Sequence, residues 1–296
     1  MHAMKIFWKN NWVAYMFLTP WLVGLLCLTA FPISYSFYLA FTKYDLLTVP
    51  KWIGIQNFLD MFHDETYLKS VTVTLKYVLI SVPLSLSFAL TVALLLNRGI
   101  KGLRIYRAIY YVPSLFGGSV AIGLLWRQIF GGEGLINSIL HRFGIEGMNW
   151  IATPSTALYT LVILSVWQFG SSMVIFLAGL KQIPTDLYES ATIDGAGSWR
   201  QFGSITFPLL TPIIFFNLVM QVIHAFQAFT SAYVVSGGGG GPLNSTLYYT
   251  LYLYQKGFTQ FEMGYAAAMA WVLLLVIAFV TSLIFVTSGK WVYYQE

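Results

Sequence analysis

The sequence predicts an all-α integral membrane protein with six transmembrane helices. Only 9% of the 296 residues are charged and 57% are hydrophobic, whereas a soluble domain carries about a quarter charged residues. So few charges cannot cover a soluble surface of this size. A bilayer core requires roughly 20 apolar residues per helix, and six stretches of the chain reach that length. The predicted spans are about 12–41, 71–96, 109–130, 157–180, 209–235 and 265–287.

Prolines in the first span and glycines in the third affect how these two spans are expected to pack. Pro20 and Pro32 fall within the first span, which is over-long and is therefore expected to tilt or kink. The third span contains Gly117 and Gly118, and small residues of this kind permit close approach between helices.

Lysine and arginine residues are unevenly distributed among the loops, and this distribution predicts the orientation of the chain in the membrane. Short cytoplasmic loops are enriched in Lys and Arg. The loops at 42–70, 131–156 and 236–264 mix basic with acidic residues, so we expect them to face outside. Both termini are then expected in the cytoplasm. Nine basic residues lie on that predicted side: Lys5, Lys9, Arg98, Lys101, Arg104, Arg107, Lys181, Arg200 and Lys290.

Composition argues against several classes of function. The chain has a single cysteine, Cys27, so a disulfide within it is excluded, and we expect no metal site. No basic tract indicates nucleic acid. The glycine run at 237–241 is not followed by Gly-Lys-Ser/Thr, so it predicts a turn and not a nucleotide-binding loop. We therefore expect a non-catalytic chain that binds no cofactor of its own.

The 181–208 loop is too polar to span a bilayer and too patterned for a plain linker. Thr185 is placed to cap a short helix, with Asp186 near the positive end of the helix dipole. That helix would run to about Asp194. Gly195 would end it, because glycine adopts left-handed backbone angles at little cost.

A second short helix is predicted directly after this glycine. Ser198 and Gln201 have the spacing of a capping box, in which each side chain bonds a backbone N–H at the start of the helix. Two short amphipathic helices at a glycine bend suit an element that rests on lipid headgroups. They suit equally a docking element for a soluble partner, and the pattern alone leaves both open.

The same loop resembles the EAA loop of permeases in binding-protein-dependent ABC importers. That pattern is Glu-Ala-Ala, three residues, Gly, nine residues, Ile, one residue, Leu-Pro. This chain has Glu189-Ser190-Ala191, Gly195, Ile205 and Phe207-Pro208 at the same spacings, with mild departures at Ser190 and Phe207. The runs at 241–244 and 263–271 resemble the sugar-uptake branch, which includes maltose, lactose and glycerol-phosphate permeases.

This resemblance implies a type I importer fold that forms a single permease domain over 1–296. It implies that the chain is the first-permease half of a heterodimeric pair in the bacterial cell membrane, surrounded by lipid. The further implied partners are two ATPase subunits that bind ATP and Mg²⁺, an extracellular solute-binding protein and a sugar. The family's coupling helix enters a cleft of the ATPase, and its residues here would be Asp186, Tyr188, Glu189, Ser190, Ala191, Asp194, Gly195 and Ala196.

Polar side chains within two spans are candidates for solute contact. Such residues usually face a protein interior or a watery pathway, and sugars require hydroxyl partners and flat aromatic faces. Hydrogen bonding between helices is the alternative. The fifth-span candidates, which share a helical face or lie close to it, are Asn217, Gln221, His224 and Gln227. Trp167, Gln168 and Ser171 lie at similar depth in the fourth span, and counting from Glu189 in the resembling maltose permease adds Ala225.

A cluster of tyrosines follows the glycine run. Tyr248, Tyr249, Tyr252 and Tyr254 are typical of an aromatic belt at the outer membrane interface. A role in receiving the binding protein is the other interpretation of these four residues.

An ion-coupled secondary transporter is the main alternative function. It would require an acidic group or an ion site near the bilayer midplane, and usually inverted repeats. The sequence shows neither feature, and it also lacks the clustered nucleophile, base or metal ligands of a membrane-embedded enzyme.

Overall fold

Helices long enough to cross a bilayer dominate the structure. The computed structural model describes residues 2–98 and 102–293; Lys101 lies outside these residues, as do the side chains of Lys5 and Lys9. Four apolar helical segments have spanning length: Tyr15–Leu39, Glu65–Leu96, Ser198–Phe226 and Met263–Ser288. Two bent pairs supply two further spans, Leu103–Leu115 with Val120–Arg142 and Ala157–Trp167 with Gly170–Leu180. The prediction of six spans is confirmed.

The chain divides into two compact units, of which the first contains residues up to His63 together with Tyr254–Val272. Its helical N-terminal span carries a π-helical turn between two α-helices. Its elements are α1 (His2–Gly24), the π-helical turn Leu25–Ala30, α2 (Phe31–Leu39), β1 (Thr42–Lys43), β2 (Lys51–Trp52), α3 (Gln56–His63) and a second π-helical turn at Gln255–Thr259.

A buried asparagine holds the small hairpin of this first unit. Strands β1 and β2 pair antiparallel, with Thr42 opposite Trp52. Asn57 on α3 is buried, and its Nδ2 donates to the carbonyl oxygens of Ala40 and Thr42, each at 2.9 Å. Because a buried amide without partners is costly, these bonds fix α3 against the end of α2.

The second unit comprises Asp64–Leu253 and Leu273–Glu296. Asp64 caps its first helix, since Oδ1 accepts from the backbone N–H groups of Thr66 and Tyr67. The helices that lie wholly within this unit are α4 (Glu65–Leu96), α5 (Leu103–Leu115), α6 (Val120–Phe130), α7 (Leu135–Arg142), α8 (Ala157–Trp167), α9 (Gly170–Leu180), α10 (Thr185–Ile193), α11 (Ser198–Gln201), α12 (Phe207–Phe226) and α13 (Thr230–Ser236), with a π-helical turn at Phe202–Thr206 and a 3₁₀ turn at Pro242–Asn244. Helices α14 (Tyr249–Tyr254) and α15 (Met263–Ser288) are divided between the units, since Tyr254 and the residues of α15 up to Val272 belong to the first.

Helices α4, α9 and α12 form the core of the second unit. Ala89 and Ala93 on α4 are fully buried beside Phe176 on α9 and Leu210 on α12. Helices surrounded by lipid have no hydrophobic driving force for packing against one another. Small residues promote their packing because they let the helices approach closely. Gly179 on α9 shows this directly, because a Cβ there would collide with Ile213 on α12. The three helices thus form a frame that holds the second, fourth and fifth spans together.

Three of the predicted spans are interrupted. The third does not run straight through 109–130, since Leu103–Leu115 and Val120–Arg142 are bent by 96° across residues 116–119. Gly117 and Gly118 permit this break, because glycine is the poorest helix former after proline, and the Ser119 Oγ caps α6 by accepting from the Ala121 N–H. The fourth span bends by 41° at Gln168 and Phe169, and the fifth stops at Phe226 and resumes at Thr230.

The tyrosine-rich stretch after the glycine run is mostly buried. Gly237, Gly238, Gly240 and Gly241 have positive φ, which confirms the predicted turn. Beyond it, Tyr248, Tyr249 and Tyr252 are each less than 5% exposed. An outer interface belt is therefore the wrong interpretation for these three residues, which pack against α4 of their own unit: the Tyr252 hydroxyl donates to Asp64 Oδ2 at 2.6 Å.

Candidate functional site

The three helix interruptions of the second unit border one cavity of about 480 Å³. Residues 117–118 between α5 and α6, Gln168 at the α8–α9 bend and residues 227–229 between α12 and α13 all line it. Backbone groups at such breaks lack intrahelical hydrogen bonds. Discontinuous helices with these free groups surround the substrate sites of many transporters. The geometry therefore makes this cavity the candidate solute site.

Hydroxyl and amide groups dominate the cavity wall. Acidic residues, lysine and arginine are absent from the lining formed by the described residues. The wall can therefore bind solute hydroxyls through neutral donors and acceptors, with the Phe229 side chain as an apolar surface. The polar lining residues are Tyr77, Ser81, Ser114, Ser165, Gln168, Ser171, Ser172, Gln221, His224, Gln227, Thr230 and Ser231.

The cavity brings together six of the eight residues that the sequence singles out for solute contact. Two lie elsewhere. Trp167 packs on Trp126, with ring centroids 5.8 Å apart. Asn217 is buried within the helix packing, and its Nδ2 donates to the Ile213 carbonyl at 3.0 Å. The six lining residues are Gln168, Ser171, Gln221, His224, Ala225 and Gln227, and their contact with a solute stays a prediction.

Gln168 connects two of the helix breaks. Its Nε2 donates to the Gly117 carbonyl at 3.3 Å. A Cβ at position 117 would lie 2.8 Å from Gln168 Oε1, so a larger residue there would require the amide to move. The side chain thus satisfies a carbonyl that the break in the third span leaves free.

The sequence did not indicate that the second span forms part of the cavity wall, or that most of the lining serines belong to it. These serines include Ser114, Ser165 and Ser172. No sequence pattern marked them as lining residues, because serine in an apolar helix commonly bonds a carbonyl of the preceding turn. Ser114 does this, donating to the Tyr111 carbonyl at 2.7 Å, and it lines the cavity as well. The polar residues that sequence reasoning found were long amides and a histidine, which have more hydrogen-bonding groups than a helix backbone can satisfy.

The glycine bend of the 181–208 loop has the predicted left-handed geometry. Gly195 has φ +78°. Its N–H donates to the Thr192 carbonyl at 3.0 Å, and the Ala196 N–H donates to the Ala191 carbonyl at 2.8 Å. These two bonds form a Schellman motif, which ends α10 at a fixed angle.

The two predicted side-chain caps in this loop are wrong. Pro184, and not Thr185, occupies the N-cap position of α10, and no side chain caps that end. Gly197 takes the N-cap position of α11 in place of Ser198. Gln201 instead reaches back to the first helix, where Nε2 donates to Thr192 Oγ1 at 3.0 Å and to the Ala196 carbonyl at 3.1 Å. Gln201 on α11 therefore stabilises the bend between the two helices.

Exposure divides the residues proposed for ATPase coupling into two groups. Asp186, Glu189, Ser190, Asp194 and Gly195 are exposed, whereas Ala191 and Ala196 are half-buried. Tyr188 turns toward the membrane spans, and its hydroxyl lies 2.8 Å from Thr206 Oγ1. Ile193 and Trp199, which the resemblance did not include, are the most exposed apolar residues of the loop, at 87% and 88%.

Comparison with known proteins identifies the family. Residues 81–290 match the model of the binding-protein-dependent transport system inner membrane component. The chain belongs to this family. It is 54% identical to the probable ABC transporter permease protein YesP of Bacillus subtilis, over 97% of this chain and 94% of that relative.

Other relatives have transport names that include a sugar. The arabinooligosaccharides transport system permease protein AraP of Bacillus subtilis is 33% identical, over 96% of this chain and 91% of AraP. The lactose transport system permease protein LacF of Rhizobium radiobacter is 29% identical, over 95% of this chain and 94% of LacF.

A solved structure shares the fold. It is a bacterial ABC transporter involved in the import of the acidic polysaccharide alginate, with a TM-score of 0.80 at 22% identity, and the match covers 95% of this chain and 98% of that one. This chain is therefore an integral membrane permease of the ABC importer class, with a type I importer fold.

Proposed function

We propose that this chain forms one half of the translocation pathway of an ATP-driven importer that carries a sugar or oligosaccharide into the cytoplasm. The observation that carries the proposal is the cavity at the three helix breaks. Its hydroxyl, amide and imidazole groups match the hydrogen-bonding needs of a saccharide. The sugar names of several relatives support the same solute class.

Six residues are the proposed solute contacts. Gln168 and Ser171 act from the fourth span, and Gln221, His224, Ala225 and Gln227 act from the fifth. We assign helix packing to Trp167 and Asn217, because neither lines the cavity. The bound saccharide would exchange its hydroxyl–water bonds for bonds to these side chains, so the cavity discriminates by the positions of hydroxyl groups.

Energy for transport would come from partner subunits. This chain would be a non-catalytic subunit that pairs with a second permease and two ATPase subunits, which bind ATP and Mg²⁺. The exposed face of α10 would enter an ATPase cleft, with Glu189 at its centre and Gly195 fixing its angle. An extracellular binding protein would deliver the sugar.

The orientation that fits this role places both termini in the cytoplasm of a bacterium. The 181–208 loop then faces the ATPase, and the loops at 42–70, 131–156 and 236–264 face the binding protein. Residues 1–296 would act as a single permease domain in the cell membrane, surrounded by lipid.

Sugar uptake by the assembled complex tests the proposal. The chain is reconstituted into liposomes with its partner permease, ATPase and binding protein, and is offered lactose, maltose, arabino-oligosaccharides and alginate oligosaccharides. We expect uptake of at least one of these that requires internal ATP and survives a protonophore. Uptake without ATP that collapses with the proton gradient would instead indicate an ion-coupled transporter.

A further inference from the structure

The carbonyl of Ala228 has an unusual partner for a residue at a helix break. Ala228 lies between α12 and α13 and lines the cavity. Its oxygen accepts a hydrogen bond from the hydroxyl of Thr250, which is 22 residues further along the chain. A break leaves backbone groups without the hydrogen bonds that a continuous helix would provide. The Thr250 hydroxyl therefore supplies a hydrogen bond to a carbonyl at the interruption of the fifth span.

The segment that carries Thr250 also contacts the opposite wall of the cavity. The Tyr248 ring packs on the ring of Tyr77, with centroids 4.6 Å apart. Tyr77 lies on α4 and lines the cavity. The next backbone N–H, that of Tyr249, donates to the buried Thr74 Oγ1 of α4 at 2.8 Å. Residues 246–252 therefore connect α4 with the break in the fifth span.

Burial gives this connection a fixed geometry. Thr246, Leu247, Tyr248, Tyr249 and Leu251 are each no more than 4% exposed, although the segment lies in the connection between the fifth and sixth spans. Side chains packed in this way hold single rotamers. The segment can thus set the distance between two cavity walls and does not merely fill space beside them.

We propose that residues 246–252 form a re-entrant brace that positions the outer walls of the sugar cavity. Thr250 holds the break that presents Gln227 and Phe229, and Tyr248 holds the ring of Tyr77. Both are positioning residues, because they act through lining residues. The proposal rests on the proposed function of the cavity as the sugar site.

Paired substitutions at Thr250 separate the hydroxyl from the shape of the side chain. Thr250→Val keeps the shape and loses the donor, whereas Thr250→Ser keeps the donor. Thr72→Val is the matched control, since the Thr72 hydroxyl bonds only the Leu68 carbonyl within α4. Each variant is reconstituted with its partner subunits, and both sugar uptake and ATP hydrolysis are measured per assembled complex at saturating loaded binding protein. The sugar is whichever member of the panel above the wild type imports.

Thr250→Val is expected to lower the uptake rate at least fivefold while stimulated ATP hydrolysis stays within twofold of wild type. Thr250→Ser and Thr72→Val should both import normally. A Thr250→Val complex that imports at the wild-type rate, or that loses uptake and hydrolysis in equal proportion, would overturn the brace. Absence of any sugar uptake by the wild type would instead contradict the proposed function, so the two failures are distinct.

Tyr248 provides a second measurement. The Tyr248 ring packs on the ring of Tyr77, so substitutions that keep or remove the ring test this contact. Tyr248→Phe should import normally, and Tyr248→Ala should show the same loss of uptake with retained hydrolysis as Thr250→Val. Equal uptake by both Tyr248 variants would contradict the positioning role of the ring.

Discussion

Amide side chains take two different roles at the scale of single residues. Gln168 and Gln221 border the cavity, whereas Asn217, one turn from Gln221 on the same helix, is buried and bonds a carbonyl of its own helix. Asn137 is likewise structural, since its Nδ2 donates to the carbonyls of three residues, Gly131, Gly132 and Met148. Residue type alone does not separate solute contact from packing, but position relative to the cavity does.

Gln221→Ala should slow sugar uptake by about fivefold. Removing one hydrogen bond to a neutral hydroxyl costs about 1 kcal/mol, which corresponds to a several-fold effect and not to complete loss. Assembly and thermal stability of the complex should stay at the wild-type level, because the Gln221 side chain lines the cavity. Uptake kinetics and a thermal melt of the purified complex measure the two quantities.

Asn217→Ala is the matched control on the same helix. It removes a buried amide and should lower the free energy of unfolding by about 1 kcal/mol, with little change in uptake per folded complex. If Gln221→Ala reduced only stability and left uptake kinetics unchanged, Gln221 would be a packing residue and the assignment of the fifth-span face would be wrong.

At the scale of secondary-structure elements, the 181–208 loop forms a joint that connects α10 to the fifth span. The Schellman bonds fix the end of α10, Gln201 ties α11 back to it, and Tyr188 links α10 to the base of the fifth span through Thr206. A force applied to the exposed face of α10 would therefore reach α12, which carries Gln221 and His224 at the cavity.

Gly195→Val should uncouple ATP hydrolysis from uptake. Gly195 has φ +78°, where a side chain costs about 1–2 kcal/mol, so valine would shift the bend angle and move Glu189. Membrane insertion should be normal, since Gly195 is exposed and precedes the helical segment of spanning length Ser198–Phe226. Co-purification of the ATPase or stimulation of its activity by loaded binding protein should fall, and sugar uptake should fall steeply.

Gly197→Val controls for the added side chain. Gly197 is also exposed, has open space around its Cβ position and has φ −71°, which suits any residue. This variant should retain uptake. Normal uptake by Gly195→Val as well would show that the bend angle does not matter and that α10 tolerates a local kink.

The spans and the loops together define the whole molecule as a membrane permease. Four helical segments of spanning length and two bent pairs account for the six spans, and the loops between them differ in charge. The family match covers residues 81–290, which include the 181–208 loop and every cavity-lining residue except Tyr77. The site and the joint thus lie in the part of the chain that defines the family.

Thiol labelling tests the orientation of the chain. In a Cys27→Ser background, Glu146→Cys and Ser198→Cys place single thiols in the 131–156 and 181–208 loops, and both positions are exposed. An impermeant thiol reagent added to intact cells should label Glu146→Cys alone. Permeabilised cells should label both. Labelling of Ser198→Cys in intact cells would reverse the proposed orientation.

The sequence predicted the six spans because apolar length is visible in composition, and it predicted the bend at Gly195 because few residues other than glycine accept that φ. It did not predict the breaks at 116–119, 168–169 and 227–229. Phe169 and Phe229 are as suited to a continuous helix as to a break, so propensity gives no sign of either. These breaks depend on packing between spans that are distant in the chain.

The environment predicted from the sequence for three tyrosines was also wrong. Tyr248, Tyr249 and Tyr252 have the composition of an interface belt, yet they are buried beside α4. An aromatic ring with a hydroxyl suits a membrane interface and a protein interior equally well. Only the re-entrant path of residues 246–252 decides between them, and that path depends on long-range contacts such as Tyr252 with Asp64.

The central claim is that the cavity at the three helix breaks holds the transported sugar. The most direct test is the structure of the assembled complex, determined with sugar-loaded binding protein and an ATPase variant that binds ATP without hydrolysing it. The account predicts sugar density between the fourth and fifth spans, within hydrogen-bonding distance of Gln168 and Gln221. Sugar density held away from this cavity, with the cavity empty, would contradict it.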